Sequence, residues 1–364
     1  MRSRGIYYFI FSVLIVGGIF AYQYWNFRIP RQLPIQEYDF SLRETDGVKH
    51  IVDLGDLVSA GAPQDNIPSI EAPEFESMPD ADVYLKDDGY GLDLEIDGDH
   101  RFYPYQLMVW HEIVNDVFNG QPVLVTYCPL CESGVVFERR IGEQTVEFGT
   151  AGRLWNNNLV MYDRQTQTWW SQILGQGVVG ELAGRDLQRL PAQVMTWDAW
   201  KRQYPDGEVL SRETGADRDY TRDPYGDYYT NSDIHFTLTG RDARLQVKER
   251  IYGVLTDAQS AYLRAAVVNE PVINDQIGGL STVLVYNDET EAVRVFSRQI
   301  NGQILTFSKN GQTLIDEQTQ SQWSLDGLAI SGDWQGATLE ELPVISAFWF
   351  CWSAAYPNSN LHLP

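Results

Sequence analysis

Two cysteines three positions apart, Cys128 and Cys131, stand in the run VTYCPLC. That spacing serves three kinds of chemistry. A Cys-x-x-Cys pair can close a strained disulfide whose thiols lower each other's pKa, which is how thiol-disulfide enzymes work. It can form half of a metal site, a tight turn aiming both sulfurs at one ion. It can also be a structural disulfide or a pair of inert thiols, as in a non-enzymatic envelope scaffold. Thioredoxin-like proteins carry the pair at the start of a helix, whereas ESGVVF after Cys131 reads as a strand and suits a metal knuckle better. No second Cys-x-x-Cys is present to complete a closed zinc site. Adding His111 makes three ligands and leaves one position open, the arrangement of catalytic zinc or of a soft copper site. Cys351, within an aromatic run, reads as a buried, unreactive thiol.

The elements that would hold these residues come from an internal repeat. HEIVND, VLVTYCPLCESGVVF, TVEFGTAG and MYDRQTQTWWS in the first half face EPVIND, VLVYNDETEAVRVF, ILTFSKNG and LIDEQTQSQWS in the second. Asn115 with Asn274, Phe137 with Phe296 and Phe148 with Phe307 are each 159 apart, and Trp170 with Trp323 is 153 apart. About six residues near 153–158 are therefore extra in the first copy. Short β-rich runs at 123–127, 135–141, 144–150 and 159–163 are separated by Gly, Asn and Gln turns. Thr196 caps a closing helix that Pro205 stops. The expected fold is α+β, mainly β, in two tandem units: 85–210 with the cysteine pair, a polar connector 211–245, and 246–364 without the pair. An extension, 26–84, precedes them.

Residues that a surviving copy lacks are not needed for its stability. Cys128 and Cys131 face Asn287 and Thr290, and His111 faces Glu270. These three residues and the loop 153–158 are thus expected at one mouth of the first unit, a His ring nitrogen within a few Å of a sulfur. Arg153, Trp155 and Asn156 would contact a cofactor or small ligand there; packing for the Trp and turn formation for the asparagines are the plainer alternatives. A hairpin turning at Asn119 and Gly120 would bring His111 level with Cys128. In the connector, Asp223, Asp227 and His235 are candidates for ion contacts, but their spacing matches no calcium loop.

Composition sets outer bounds. The chain's 364 residues suffice for two domains, and 13% aromatic content belongs to folded protein. A net charge of -23 would repel a phosphate backbone, so nucleic acid is not an expected partner. The uncharged run 6–25 follows Arg2 and Arg4, and as a helix it would reach about 30 Å, enough to cross a bilayer. The expectation is a single-pass anchor with a cytoplasmic N-terminus and the bulk of the chain periplasmic or extracellular. The alternative is a cleaved signal peptide.

The ordered motifs GAPQDNIPSIEAPEF, WHEIVND, VTYCPLC, LVMYDRQTQTWWSQ and DPYGDYY together resemble the prokaryotic family catalogued as domain of unknown function 3179. The resemblance covers residues 61–229 and, more faintly, the second copy. It implies an envelope location but no reaction. Its Cys-Pro-Leu-Cys and its His correspond to Cys128, Cys131 and His111; Glu132 departs from the Gly that often follows the second cysteine.

Overall fold

The computed structural model describes residues 39–364. Strands outweigh helices among them, as the alternating apolar runs require, so the fold is mainly β. The proposed anchor, 6–25, lies outside the described residues. Among the described ones no helix is long and apolar enough to cross a membrane, so the expectation of a membrane helix finds no support there.

In the first half, the strands Arg189–Leu190, Ser133–Glu138, Gln121–Cys128 and Ile113–Phe118 form one sheet in that order. In the second half, Glu341–Leu342, Val293–Ser297, Leu280–Tyr286 and Val272–Ile277 form another with the same sequence of connections. A second sheet repeats likewise. Gln193–Thr196, Tyr90–Ile96, Asp99–Pro104 and Glu208–Leu210 correspond to Val344–Phe348, Arg250–Leu255, Gln259–Leu263 and Asn360–His362, with the last pair parallel in both. The turn at Asn119 and Gly120 takes positive φ at both positions, as a two-residue hairpin connection needs, and sets Ile113 opposite Thr126. Thr196 caps the helix Trp197–Gln203, its hydroxyl accepting from the Ala199 N–H.

Matched side chains make matched bonds. The Asn115 amide bonds the backbone of Phe148 twice, at 2.8 Å each, and Asn274 does the same to Phe307 at 2.7 and 2.8 Å. Arg139 reaches the carbonyls of Asp116 and Val146, and Arg298 those of Asp275 and Leu305. Each of these side chains pins one sheet to the next, satisfying carbonyls and N–H groups that would otherwise be buried without partners.

The third sheet differs between the halves. Its hairpin is Phe148–Trp155 with Asn158–Asp163 in the first half, but only Phe307–Asn310 with Thr313–Asp316 in the second. The extra residues lengthen the hairpin at its tip. In the first half the chain's early strands Val48–His50 and Leu57–Ser59 also cover the two edges of this sheet. Residues 211–249 hold no helix or strand; Tyr228 and Phe236 of this stretch bond the first half, and Asp242 and Arg244 bond the second. One cluster of buried residues joins the halves, running from Cys131, Trp155 and Trp170 to Ile251, Trp349 and Trp352.

Candidate functional site

The strand Gln121–Cys128 ends in a single 3-10 turn, Pro129–Cys131, and the chain re-enters the sheet at Ser133–Glu138. Pro129 suits the first position of that turn because its fixed φ and missing N–H cost nothing there. Glu132 closes the turn with φ 48, a conformation that favours Gly. Its carboxylate compensates by gripping Arg250 of the second half through two bonds of 2.6 Å. The departure from Gly at this position is therefore the root of a contact between the halves.

The two cysteines do not bond to each other. Cys131 forms a disulfide with Cys351 across a sequence separation of 220, Cα to Cα 5.6 Å, while Cys128 keeps its thiol. Cys351 is accordingly not the inert thiol expected from its aromatic surroundings. The helix Trp349–Ala355 that carries it is buried along its length and presents it to the Cys-Pro-Leu-Cys turn.

No group of three His, Cys, Asp or Glu able to hold a metal exists among the described residues, and the expected site of His111, Cys128 and Cys131 is corrected on that finding. The reasons are local. The His111 Nδ1 lies 2.8 Å from the Pro68 carbonyl and must donate to it, while Nε2 lies 2.6 Å from the Tyr220 hydroxyl and accepts from it. Both ring nitrogens are therefore engaged, and burial holds the ring below the usual histidine range, in its neutral form. Cys131 has no thiolate to offer. Burial, with the nearby Glu112 charge second, pushes the Cys128 thiol up to about 12, so it too stays protonated. With the metal-binding reading goes any need for copper or zinc at this turn.

The loop expected beside the cysteines is there. Asn156 and Asn157, both at positive φ, turn the long hairpin so that the Asn157 carbonyl sits 3.6 Å from each sulfur. The Cys128 thiol donates to it; Cys131, in its disulfide, only touches it. Asn158 donates to Gln172 at 2.8 Å, and the Gln172 amide in turn bonds Thr126 and the Ser133 carbonyl. The Asn157 amide exchanges two bonds with the Phe236 backbone, and Asn156 accepts from the N–H and hydroxyl of Thr239. The asparagines thus fasten the connector over the turn. Trp155 is wholly buried in the core, Arg153 lies over the Trp169 ring at 5.9 Å, and Asn156 holds Thr239, so the three residues expected to contact a ligand have separate surroundings. Asp223, Asp227 and His235 do not assemble into an ion site either; His235 packs on the Tyr228 ring.

Several residues beyond the expected candidates complete this region. Tyr228 donates to the Leu130 carbonyl at 2.9 Å, laying the DPYGDYY segment against the cysteine turn. Glu112, 7% exposed, holds φ 61, and burial pushes its carboxyl up to about 8. The signal for Glu112 was present, since Pro271 stands opposite it. Gln172 was legible in the same way, because an apolar Leu325 occupies the matching place.

Beside the turn opens a cleft of about 380 Å³. Tyr90, Tyr105, Tyr127, Tyr220 and Tyr229 line it, with the Glu132–Arg250 pair at the side facing the second half. Tyr105 and Tyr127 stack at 3.9 Å between ring centroids. Tyrosines drawn from four separated stretches thus share one wall, next to the cysteine turn that the second half lacks.

The motifs named at the outset now converge: Asp65 and Glu71 bond Arg164, His111 bonds Pro68, and Tyr228 bonds Leu130. A family model described as "Protein of unknown function (DUF3179)" matches residues 64–359. The chain belongs to that family. The match spans both halves and the connector, so the family's unit is the pair and not the first half alone. No curated protein and no solved structure matches the chain.

Proposed function

We propose that this member of the DUF3179 family is a binding protein of an oxidising compartment outside the cytoplasm, that its ligand occupies the tyrosine-lined cleft, and that its two halves arose by internal duplication. The observation that carries the binding reading is the cleft itself. It is concave, rich in amphipathic rings and edged by a few charged groups, the usual make-up of a small-molecule site. The extracytoplasmic address is supported by the disulfide between Cys131 and Cys351, since such bonds persist where thiols are not kept reduced. The matched sheets and matched bonds of the two halves support the duplication.

In this reading the Cys-Pro-Leu-Cys turn is a braced wall of the cleft. A thiol-disulfide enzyme would need an accessible thiolate, and the buried, protonated Cys128 argues against one. The test is a thermal-shift screen of small polar compounds against the wild-type protein and a Tyr105→Ala, Tyr229→Ala double variant. Compounds that raise the melting temperature of the wild type and leave the folded variant unmoved are expected. A screen in which no compound separates the two proteins sinks the binding reading.

A further inference from the structure

We infer that the cleft takes a neutral saccharide of one or two rings, an inference that rests on the cleft being the binding site. Its charges balance: Lys86, Arg222 and Arg250 stand against Asp88, Glu132 and Asp223. Arg250 is already held by two bonds from Glu132, so its guanidinium is not free to fix an anion without breaking that pair. A chain carrying -23 also repels anions before they arrive.

What remains on offer is hydrogen bonding and ring faces. The Gln106 amide donates to the carbonyls of Tyr84 and Tyr220 at 3.0 and 2.9 Å, which fixes the group and leaves its Oε1 to accept from a hydroxyl. Asp88 and Asp223 add exposed acceptors, and Lys86 and Arg222 add exposed donors, at the same mouth. Vicinal hydroxyls, each a donor and an acceptor, match such an alternating set. The C–H faces of a sugar ring lie well against tyrosine, and about 380 Å³ suits one or two rings.

The experiment uses maltose, cellobiose, trehalose and N,N′-diacetylchitobiose as probes, with choline and phenylalanine beside them, followed by saturation-transfer NMR and calorimetry on the disulfide-intact protein. Saturable binding of at least one disaccharide is expected, weakened about tenfold in Tyr229→Ala and kept within about threefold in Tyr229→Phe, where the ring face survives. Circular dichroism confirms that both variants are folded. Sugar binding indifferent to Tyr229→Ala overturns the assignment. Binding of choline or phenylalanine that Tyr229→Ala abolishes, with no sugar bound, overturns the saccharide and leaves the cleft as a binding site. Silence from every probe on folded protein overturns the saccharide and counts against the cleft as well.

Discussion

Asp163 accepts from the Trp170 indole at 3.0 Å in the first half, and Asp316 accepts from the Trp323 indole at 3.0 Å in the second. Tyr103 bonds Asp116 as Tyr262 bonds Asp275. Where both halves agree, the residues hold sheets together. Where they differ, the first half carries features that a scaffold has no use for. It has a buried carboxyl on a left-handed residue, Glu112, where the second half has Pro271. It has a thiol under an asparagine turn, where the second half has Asn287 and a short hairpin. Strained backbone and titratable groups shifted by burial are unfavourable and tend to persist at sites of function. The second half shows that the fold stands without them.

The largest effect expected from breaking this comparison is at the brace. Cys351→Ser removes the covalent tie between the halves and should lower stability by about 4 kcal/mol, the usual consequence of freeing a long loop. Denaturation midpoints with and without reductant measure it; wild type in reductant should fall to the variant's value. In denaturant without reductant, the wild type should titrate a single thiol, that of Cys128.

Glu112→Gln comes next, and its effect depends on pH. The carboxyl is raised to about 8 in the folded protein from an ordinary value near 4.5, so the folded state holds a proton that the unfolded state releases as pH rises between those values. Wild-type stability is therefore lost progressively from about pH 4.5 to about pH 8 through this group. The Gln variant should match wild type near pH 4.5 and exceed it by roughly 4 kcal/mol at pH 8. Parallel stability curves across that range would mean that burial does not raise the Glu112 carboxyl.

The smallest contrast lies within the shared scaffold. Asn115→Ala strands the Phe148 backbone at a site 1% exposed and should cost about 2 kcal/mol; Asn274→Ala, partly exposed, should cost about 1 kcal/mol. Urea unfolding of the two variants compares them directly. A larger loss from Asn274→Ala would contradict the reading that both bonds do one job and differ only in burial.

Much of the architecture was already legible in the residues. Alternating apolar runs, the Asn119–Gly120 turn and the Thr196 cap specify strands, a hairpin and a helix through local rules, and the offset of 159 followed by 153 locates the longer hairpin before any coordinates are seen. Hairpin register sets Ile113 opposite Thr126, and His111 stands in the turn just before that strand. Only the tertiary structure decided what His111 and Cys128 do. A hairpin sets the level of a residue but not the direction of its side chain, and His111 turns to Pro68 and Tyr220, from segments 43 and 109 positions away. The partner of Cys131 was equally out of reach of local spacing. A thiol three residues away is close in sequence, yet disulfide pairing follows the distance between folded elements, and the buried helix of the second half brings Cys351 to the turn from 220 residues away. The cleft, assembled from tyrosines of four stretches, is a property of packing alone.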